Sequence, residues 1–533
     1  MQFDLLHVGT LVFLAHMLGV IAACHAILHT RTSQGAIAWA VSLVAMPYLT
    51  LVPYLFLGRS KFAGYADARR IENEMLRARA HPPEWDSAAS SPGRPTEALG
   101  QQFVRSLTRL GGMPFLPGNS VRTLVNGEAT FAAIFEAIEN AQRYVIVQFF
   151  IVRADALGEM LKDLLIAKAA QGVRVYVLYD SIGSFDLPHR YVASMLAGGV
   201  QMHPFATNRR FVNRFQLNFR NHRKIVVVDG ERAFVGGHNV GVEYLGGKPP
   251  LSPWRDTHIE VRGPAVASIQ FVFTEDWYWA TQQLPEFDPA PVSSSAPSVS
   301  PSVPSPASLP ASLPASLPAS LPASRPASRS ASPPTSPPTS PPASPCDAAG
   351  DGMHCLVIPT GPADKQETCS LFFVEAINAA RERIWITTPY LIPDEAVFAA
   401  LRLAALRGVD VRIMIPSRRD HRVVFEASKL YAYDSIRAGV RIFRYRPGFL
   451  HQKVVLIDDI AAAVGSANLD NRSFRLNFEI MVLTVDSKFA AGIEAMLLRD
   501  FDESFEIDRS EYRNASAVRR VAMHVARLFA PIL

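Results

Sequence analysis

The sequence predicts an α/β protein: two copies of one unit, each a β-sheet flanked by helices, following an N-terminal two-helix transmembrane hairpin. Three observations carry this expectation. Val8 to Leu28 and Ala36 to Leu57 contain no Lys, Arg, Asp or Glu. One series of helix-like and strand-like segments occurs twice, on either side of a Pro-rich stretch. Each copy closes on the pattern H-x-K-x4-D.

Each apolar stretch is long enough to cross a hydrocarbon core of about 30 Å. The residues before the first, MQFDLLH, lack the basic region of a cleaved signal peptide, and a second apolar run follows at once. Arg59, Lys61, Arg69, Arg70, Arg77 and Arg79 follow the second stretch, whereas the connecting loop offers only Arg31. The positive-inside rule therefore places the bulk of the chain on the cytoplasmic side. Composition agrees: of 533 residues 49% are hydrophobic and 19% charged, and the mean hydropathy is +0.11. The 53 Lys and Arg against 48 Asp and Glu leave a charge of +5, too slight for a dedicated nucleic-acid binder but compatible with an anionic lipid surface. Cys24, Cys346, Cys355 and Cys369 form no C-x-x-C pair, which argues against a disulfide or zinc framework and for a reducing compartment.

In the first copy a helical stretch, Thr130 to Gln142, leads to the apolar run Tyr144 to Val152, a second helical stretch Asp155 to Ala170, Gly172, and a strand ending at Asp180. The second copy repeats this order with Gln366 to Arg381, Ile384 to Leu391, Asp394 to Arg407, Gly408 and a strand ending at Pro416. Pro289 to Pro345 between them is a Ser, Leu, Pro and Ala repeat, too poor in large apolar groups to offset ordering entropy, and reads as a disordered tether. The expected domains are a transmembrane hairpin (1–60), a juxtamembrane basic segment (61–110), a first unit (111–288), the tether (289–350), a second unit (351–510) and a C-terminal amphipathic segment (511–533). In that last segment Val518, Val521, Val525, Leu528 and Phe529 fall near one helical face among Arg513, Arg519, Arg520 and Arg527. Such a helix either lies on anionic lipid or packs on the second unit.

The chemistry gathers at the repeated motif. RNHRKIVVVDG supplies His222, Lys224 and Asp229, and LHQKVVLIDD supplies His451, Lys453 and Asp458. His and Lys two apart on a strand share one face. A small-residue turn with an amide follows each: Gly237 and Asn239, then Ser466 and Asn468. The spacing from His to Asn is identical, since 239 − 222 and 468 − 451 both give 17. No H-E-x-x-H or acidic cluster adjoins either His, and Lys is a poor metal-ligand partner, so no metal is expected. His203, His238 and His258 lack the repeated context and read as structural. Asp229 and Asp458, each ending an apolar run, are candidates for catalysis or for tying down local backbone donors.

These residues resemble the phospholipase D superfamily, and nearly the whole chain outside the tether resembles the bacterial cardiolipin synthases of the two-domain type. The resemblance rests on the doubled H-x-K-x4-D with its Asn, on LFLGR ending at Arg59, on PWRDTHIEVRG around Asp256, on TTPYLIPD, and on GSANLDNRSFRLNFE ending at Glu479. It implies two phospholipase D-like domains, no cofactor, and a phosphohistidine mechanism with His222 as nucleophile and His451 as acid and base. It implies Lys224, Lys453, Asn239 and Asn468 around the phosphate, and Glu479 as the carboxylate orienting the histidine of its own half. No carboxylate stands at the matching offset in the first half, and Asp256 is left for that role. The first half also has Gly237 where the second has Ser466.

The implied reaction converts two phosphatidylglycerol molecules into cardiolipin and glycerol at the bacterial inner membrane. The same motifs serve a phospholipase D that passes the phosphatidyl group to water, or a transferase that takes phosphatidylethanolamine as donor. A third reading, an idle membrane scaffold that recruits partners through the Pro-rich tether, conflicts with intact His, Lys and Asn in both copies. Two imidazoles sharing attack and proton transfer are expected to have pKa values pushed apart.

Overall fold

The computed structural model describes residues 2–30, 33–58, 85, 93–205, 219–247, 249, 251–287, 352–364 and 366–532. The basic residues from Arg59 to Arg79 and the Pro-rich tether lie outside them. The first apolar stretch forms one helix, α1 (Gln2–His29), within which His7–His29 is long and apolar enough to cross a membrane. The second does not form one helix. It is divided into α2 (Ser33–Ala45) and α3 (Pro47–Leu57), because Pro47 has no N–H to continue the ladder and restricts Met46 to a non-helical conformation. Among the described residues α1 alone is a single helix long and apolar enough to span a membrane; the second apolar stretch is an interrupted pair, α2 and α3, rather than one continuous helix. The three helices pack through Ala23, Ala26, Leu43 and Tyr54, and most of their other apolar side chains face outward.

The first half runs α4 (Gly93–Leu99), α5 (Gln101–Gly111), β1 (Leu116–Val125), α6 (Asn126–Glu139), β2 (Tyr144–Phe149), α7 (Ala156–Ala170), β3 (Arg174–Asp180), α8 (His189–Ala197), β4 (Gln201–Phe205), β5 (Arg220–Asn221), β6 (Ile225–Val228), β7 (Arg232–Gly236), β8 (Trp254–Arg255), β9 (Thr257–Arg262) and α9 (Ala265–Thr281). The second half runs β10 (Met353–Thr360), α10 (Thr368–Ala379), β11 (Arg383–Thr387), β12 (Leu391–Ile392), α11 (Glu395–Leu406), β13 (Asp410–Pro416), α12 (Arg422–Arg437), β14 (Arg441–Tyr445), β15 (Phe449–Leu450), β16 (Val454–Ile457), β17 (Ala461–Gly465), β18 (Leu469–Asp470), α13 (Asn471–Arg475), β19 (Asn477–Val485), α14 (Ser487–Asp502), β20 (Ser504–Ile507), α15 (Ser510–Arg513) and α16 (Ala517–Leu528). Helix starts follow their caps: the Asp155 and Asp394 carboxylates accept from the first free amides of α7 and α11.

The repeat is visible in the strand order. From one edge the sheet runs β4-β3-β2-β6-β7-β9-β1, crosses at β1–β10, and continues β10-β19-β17-β16-β11-β13-β14-β20. In each half a parallel trio (β2, β3, β4 or β11, β13, β14) meets an antiparallel hairpin (β6–β7 or β16–β17). The central strands are apolar throughout, as β6 (IVVV) and β16 (VVLI) show, because helices cover both faces.

Two short parallel pairings lock the halves together. β5 pairs with β19 through Arg220–Asn477 and Asn221–Phe478, and β15 pairs with β8 through Phe449–Trp254 and Leu450–Arg255. Buried ion pairs reinforce them. The Arg223 guanidinium donates to Asp276 at 2.6 Å and to the Thr360 and Glu479 carbonyls. Arg255 forms a two-pronged pair with Asp500, both contacts at 2.8 Å, and Asp500 also accepts from Gln452. Removing one partner strands a buried charge, so Asp276→Ala is expected to cost about 3–5 kcal/mol. Its thermal unfolding in detergent should fall well below that of the wild type; an unchanged midpoint would contradict the assignment.

Candidate active site

The two locking pairs place the motif residues. His222 directly follows β5, and its amide donates to the Phe478 carbonyl, the residue before Glu479. His451 directly follows β15, and its amide donates to the Arg255 carbonyl, the residue before Asp256. Each imidazole therefore meets the carboxylate of the opposite half. His222 Nδ1 lies 2.9 and 3.0 Å from the Glu479 oxygens, and His451 Nδ1 lies 2.6 Å from Asp256. The expectation that Glu479 serves His451 and Asp256 serves His222 is thereby corrected. Offset counting treats each half as self-contained, whereas strand pairing between halves decides the partner.

The exchange of Gly237 for Ser466 follows from the same geometry. Ser466 Oγ donates to Glu479 at 2.6 Å, while Ser473 (2.8 Å) and Asn477 (3.1 Å) complete that carboxylate's shell. On the other side a Cβ at Gly237 would meet the Asp256 carboxylate at 2.1 Å, so glycine leaves the room that the shorter acid occupies. Behind Asp256 the buried His238 and His258 rings meet Nδ1 to Nδ1 at 2.9 Å. They support the turn rather than line the cavity.

Both histidines face one cavity of about 510 Å³ between the halves, lined also by Phe150, Tyr244, Trp254, Tyr390, Asn239 and Asn468. Lys224 and Lys453 are buried beneath it. Lys224 Nζ donates to the His222 carbonyl at 2.5 Å, and Lys453 Nζ contacts the His451 carbonyl and lies 2.9 and 3.1 Å from its ring nitrogens. Asn239 is held by the Ile151 amide and Tyr244, and Asn468 by Asp470. Ser466 contacts Glu479 behind the cavity wall and does not line the cavity.

Asp229 and Asp458 are not brought there. Each sits in the left-handed region, φ 54° and 50°, at the far end of its strand. Asp229 accepts from the amides of Gln142, Arg143 and Tyr144, and Asp458 from those of Arg381, Glu382 and Arg383. They pin the turn before β2 and β11, and are not part of the constellation expected around the phosphate.

Burial sets the electrostatics. It pushes His222 down to about 4 against the pull of Glu479, and burial with the Lys453 charge pushes His451 down to about 3 against Asp256. Burial thus drives both histidines in the same direction, toward the neutral form, rather than pushing them apart. Burial brings Lys453 down to about 8 despite Asp256 and Glu479, and lowers Lys224 well below its ordinary value. Burial alone would raise both carboxylates, but Lys453, His238 and His451 hold Asp256 low, and His222, Lys224 and Ser466 hold Glu479 low. Among the described residues no group of three or more His, Cys, Asp or Glu side chains is arranged to hold a metal ion.

Sequence reasoning missed Arg223, Arg255, Asp276 and Asp500. Arg223 and Arg255 stood inside the motifs already singled out, each beside a site residue. It also missed Arg153, Arg220 and Arg472 on the cavity wall.

Two equivalent halves on one sheet, each lending a histidine to a common cavity and a carboxylate to the other's ring, define a phospholipase D-like protein. A family model described as "Cardiolipin synthase, PLD-like domain" matches residues 134–248 and again 373–501. The Cardiolipin synthase A of Pseudomonas aeruginosa strain PAO1 is 54% identical over 527 residues, covering 99% of this chain and 96% of that protein. That of Pseudomonas fluorescens strain SBW25 is 52% identical over 518 residues, covering 97% of each. The crystal structure of phosphatidylserine synthase from Haemophilus influenzae shares the fold, with a TM-score of 0.57 at 14% identity over 81% of this chain and 100% of that one. The chain belongs to the cardiolipin synthase family.

Proposed function

We propose that this chain transfers the phosphatidyl group of one phosphatidylglycerol to the terminal hydroxyl of a second, giving cardiolipin and glycerol. The observation that carries this reading is the crossed histidine pair in one cavity, in a chain similar over its whole length to proteins named cardiolipin synthase A.

Each carboxylate holds the Nδ1 proton of its ring, which leaves Nε2 to face the cavity. His222 Nε2, neutral because its ring is buried, attacks phosphorus, and the bond to the leaving glycerol oxygen breaks. His451 gives that oxygen its proton. Burial favours the neutral His451 ring in the free site; the entering phosphodiester charge favours its imidazolium, which takes its proton from solvent and leaves the Lys453 ammonium in place. In the second half-reaction His451 takes the proton of the acceptor hydroxyl, whose oxygen attacks the phosphatidyl-histidine and expels His222. Lys224, Lys453, Asn239 and Asn468 stabilise charge on the non-bridging oxygens. Phosphatidylglycerol and anionic membrane lipid are the partners, and the chain is anchored in the bacterial inner membrane as a multi-pass protein with both catalytic halves on the cytoplasmic side. α1 and the basic stretch after α3 support that placement.

The purified chain, given phosphatidylglycerol as sole lipid in the presence of EDTA, should release cardiolipin and glycerol in equal amounts. Phosphatidic acid with glycerol would make it a hydrolase, and no product would refute phosphatidylglycerol as donor under metal-free conditions. The pH profile tests the role of Lys453. Its ammonium is present below about 8 and lost above it, so kcat/KM should hold at neutral pH and fall as pH rises through that value. Lys453→Arg keeps its charge, so its residual activity should lose this alkaline limb; a wild-type profile flat to high pH would contradict the role.

A further inference from the structure

The last helix divides its surface in a way packing alone does not require. α16 is held against α12 by buried Met523 and Ala526, by Arg527 with Asp434 at 2.8 Å, and by Arg519 near Glu426 at 3.8 Å. Those two ion pairs show the helices running in parallel. Yet Val518 (80% exposed), Val521 (62%), Val525, Leu528 (77%) and Phe529 stay in solvent. At about 100° per residue these five side chains fall within one stripe roughly 100° wide, on the side of the helix turned away from the packing face. Of the alternatives left open by the sequence, packing on the second half is the one observed, and the apolar stripe stays exposed while the helix packs.

Its position gives the stripe a direction. The start of α12 forms part of the active-site cavity through His421 and Val424, and Glu426, which faces Arg519 at the start of α16, lies about one helical turn further. Arg419, Arg422 and Val423 are exposed at that same rim, and Arg513 and Arg520 are exposed beside the stripe. Apolar side chains flanked by guanidinium groups suit a layer of acyl chains beneath anionic headgroups, whereas an acidic or neutral partner surface would use only half of the patch.

We propose that α16, with the rim of α12, is an interfacial docking surface that seats the cavity mouth on an anionic bilayer, so that lipid headgroups reach the histidines without leaving the membrane. This deepens the phosphatidyl-transfer reading and rests on it for its purpose, though not for its test.

The full-length chain with Cys24 and Cys346 replaced by Ser, and a nitroxide at Val521→Cys, is reconstituted into vesicles of phosphatidylcholine and phosphatidylglycerol. Cys355 and Cys369 are buried and stay unlabelled. Quenching by oxygen should exceed quenching by a polar nickel complex, as it does for a label among acyl chains. A label that remains in water, or that is immobilised with the appearance of a dimer, would overturn the proposal, the latter in favour of a second copy as occupant. As a second readout, Val521→Glu with Leu528→Glu should lower turnover of vesicle phosphatidylglycerol about tenfold or more while sparing turnover of a short-chain, micellar phosphatidylglycerol. Equal vesicle activity in variant and wild type would refute it. If the unaltered protein makes no cardiolipin in either assay, the phosphatidyl-transfer reading fails while the quenching result still decides the docking surface.

Discussion

His222→Ala is expected to lose turnover by roughly 10⁴-fold or more, the scale seen when an attacking group is deleted from a coupled catalytic set. The ring is held by Glu479 at Nδ1 and by a backbone bond from its own amide to Phe478, so Nε2 is presented to the cavity without side-chain reorientation. Alanine removes the nucleophile but leaves β5–β19 paired, since that register uses backbone groups only. The variant should therefore fold, melt near the wild type and bind lipid while making neither cardiolipin nor phosphatidic acid. The rate of cardiolipin formation, measured with a melting curve on the same sample, checks it. Turnover within tenfold of the wild type would remove His222 from the role.

The second large effect comes from the carboxylates and is specific to their crossing. Asp256→Asn should cost roughly 10²–10⁴-fold, as removing the charge behind a catalytic histidine does elsewhere, because an amide no longer fixes the His451 tautomer or supports its imidazolium. Glu479→Gln should be as damaging through His222. The two are expected to fail at different steps. With Glu479 altered, formation of the covalent intermediate slows. With Asp256 altered, proton delivery to the leaving group slows, so the loss shrinks for a donor whose leaving alcohol is more acidic. Measuring both variants against donors of graded leaving-group acidity separates them. If Glu479→Gln, not Asp256→Asn, were rescued by the better leaving group, the crossed assignment would be wrong.

Much of this architecture was legible in the sequence, because the features that repeat are local. The 17-residue spacing of His to Asn survives in both halves because it spans one hairpin, β6–β7 or β16–β17, and its turns. Asp229 stood before Gly230, a turn signature, and its backbone role follows from that local geometry. What a local reading could not supply is the partner of each carboxylate. β5 and β8 are two residues long, and their pairings reach Asn477 and Phe449 across the tether, a distance no spacing rule encodes. The exchange of Gly237 for Ser466 was the one sequence trace of it, since a longer acid wants a hydroxyl and a shorter one wants space. The break between α2 and α3 was legible and overlooked: Pro47 stands in the middle of the second apolar run. The buried pairs of Arg223 with Asp276 and Arg255 with Asp500 were hidden because a charged residue beside an apolar run or on a helix reads as exposed until its partner is known.

The central claim is that two halves form one site in which His222 carries the phosphatidyl group. Rapid acid-free quenching of the full-length chain during turnover of phosphatidylglycerol, followed by peptide mass spectrometry, measures it directly. The account predicts a phosphatidyl adduct on the peptide containing His222, absent in His222→Ala and accumulating in His451→Ala when the donor's leaving group needs no protonation. An adduct on His451 instead, or turnover with no histidine adduct on either peptide, would contradict it.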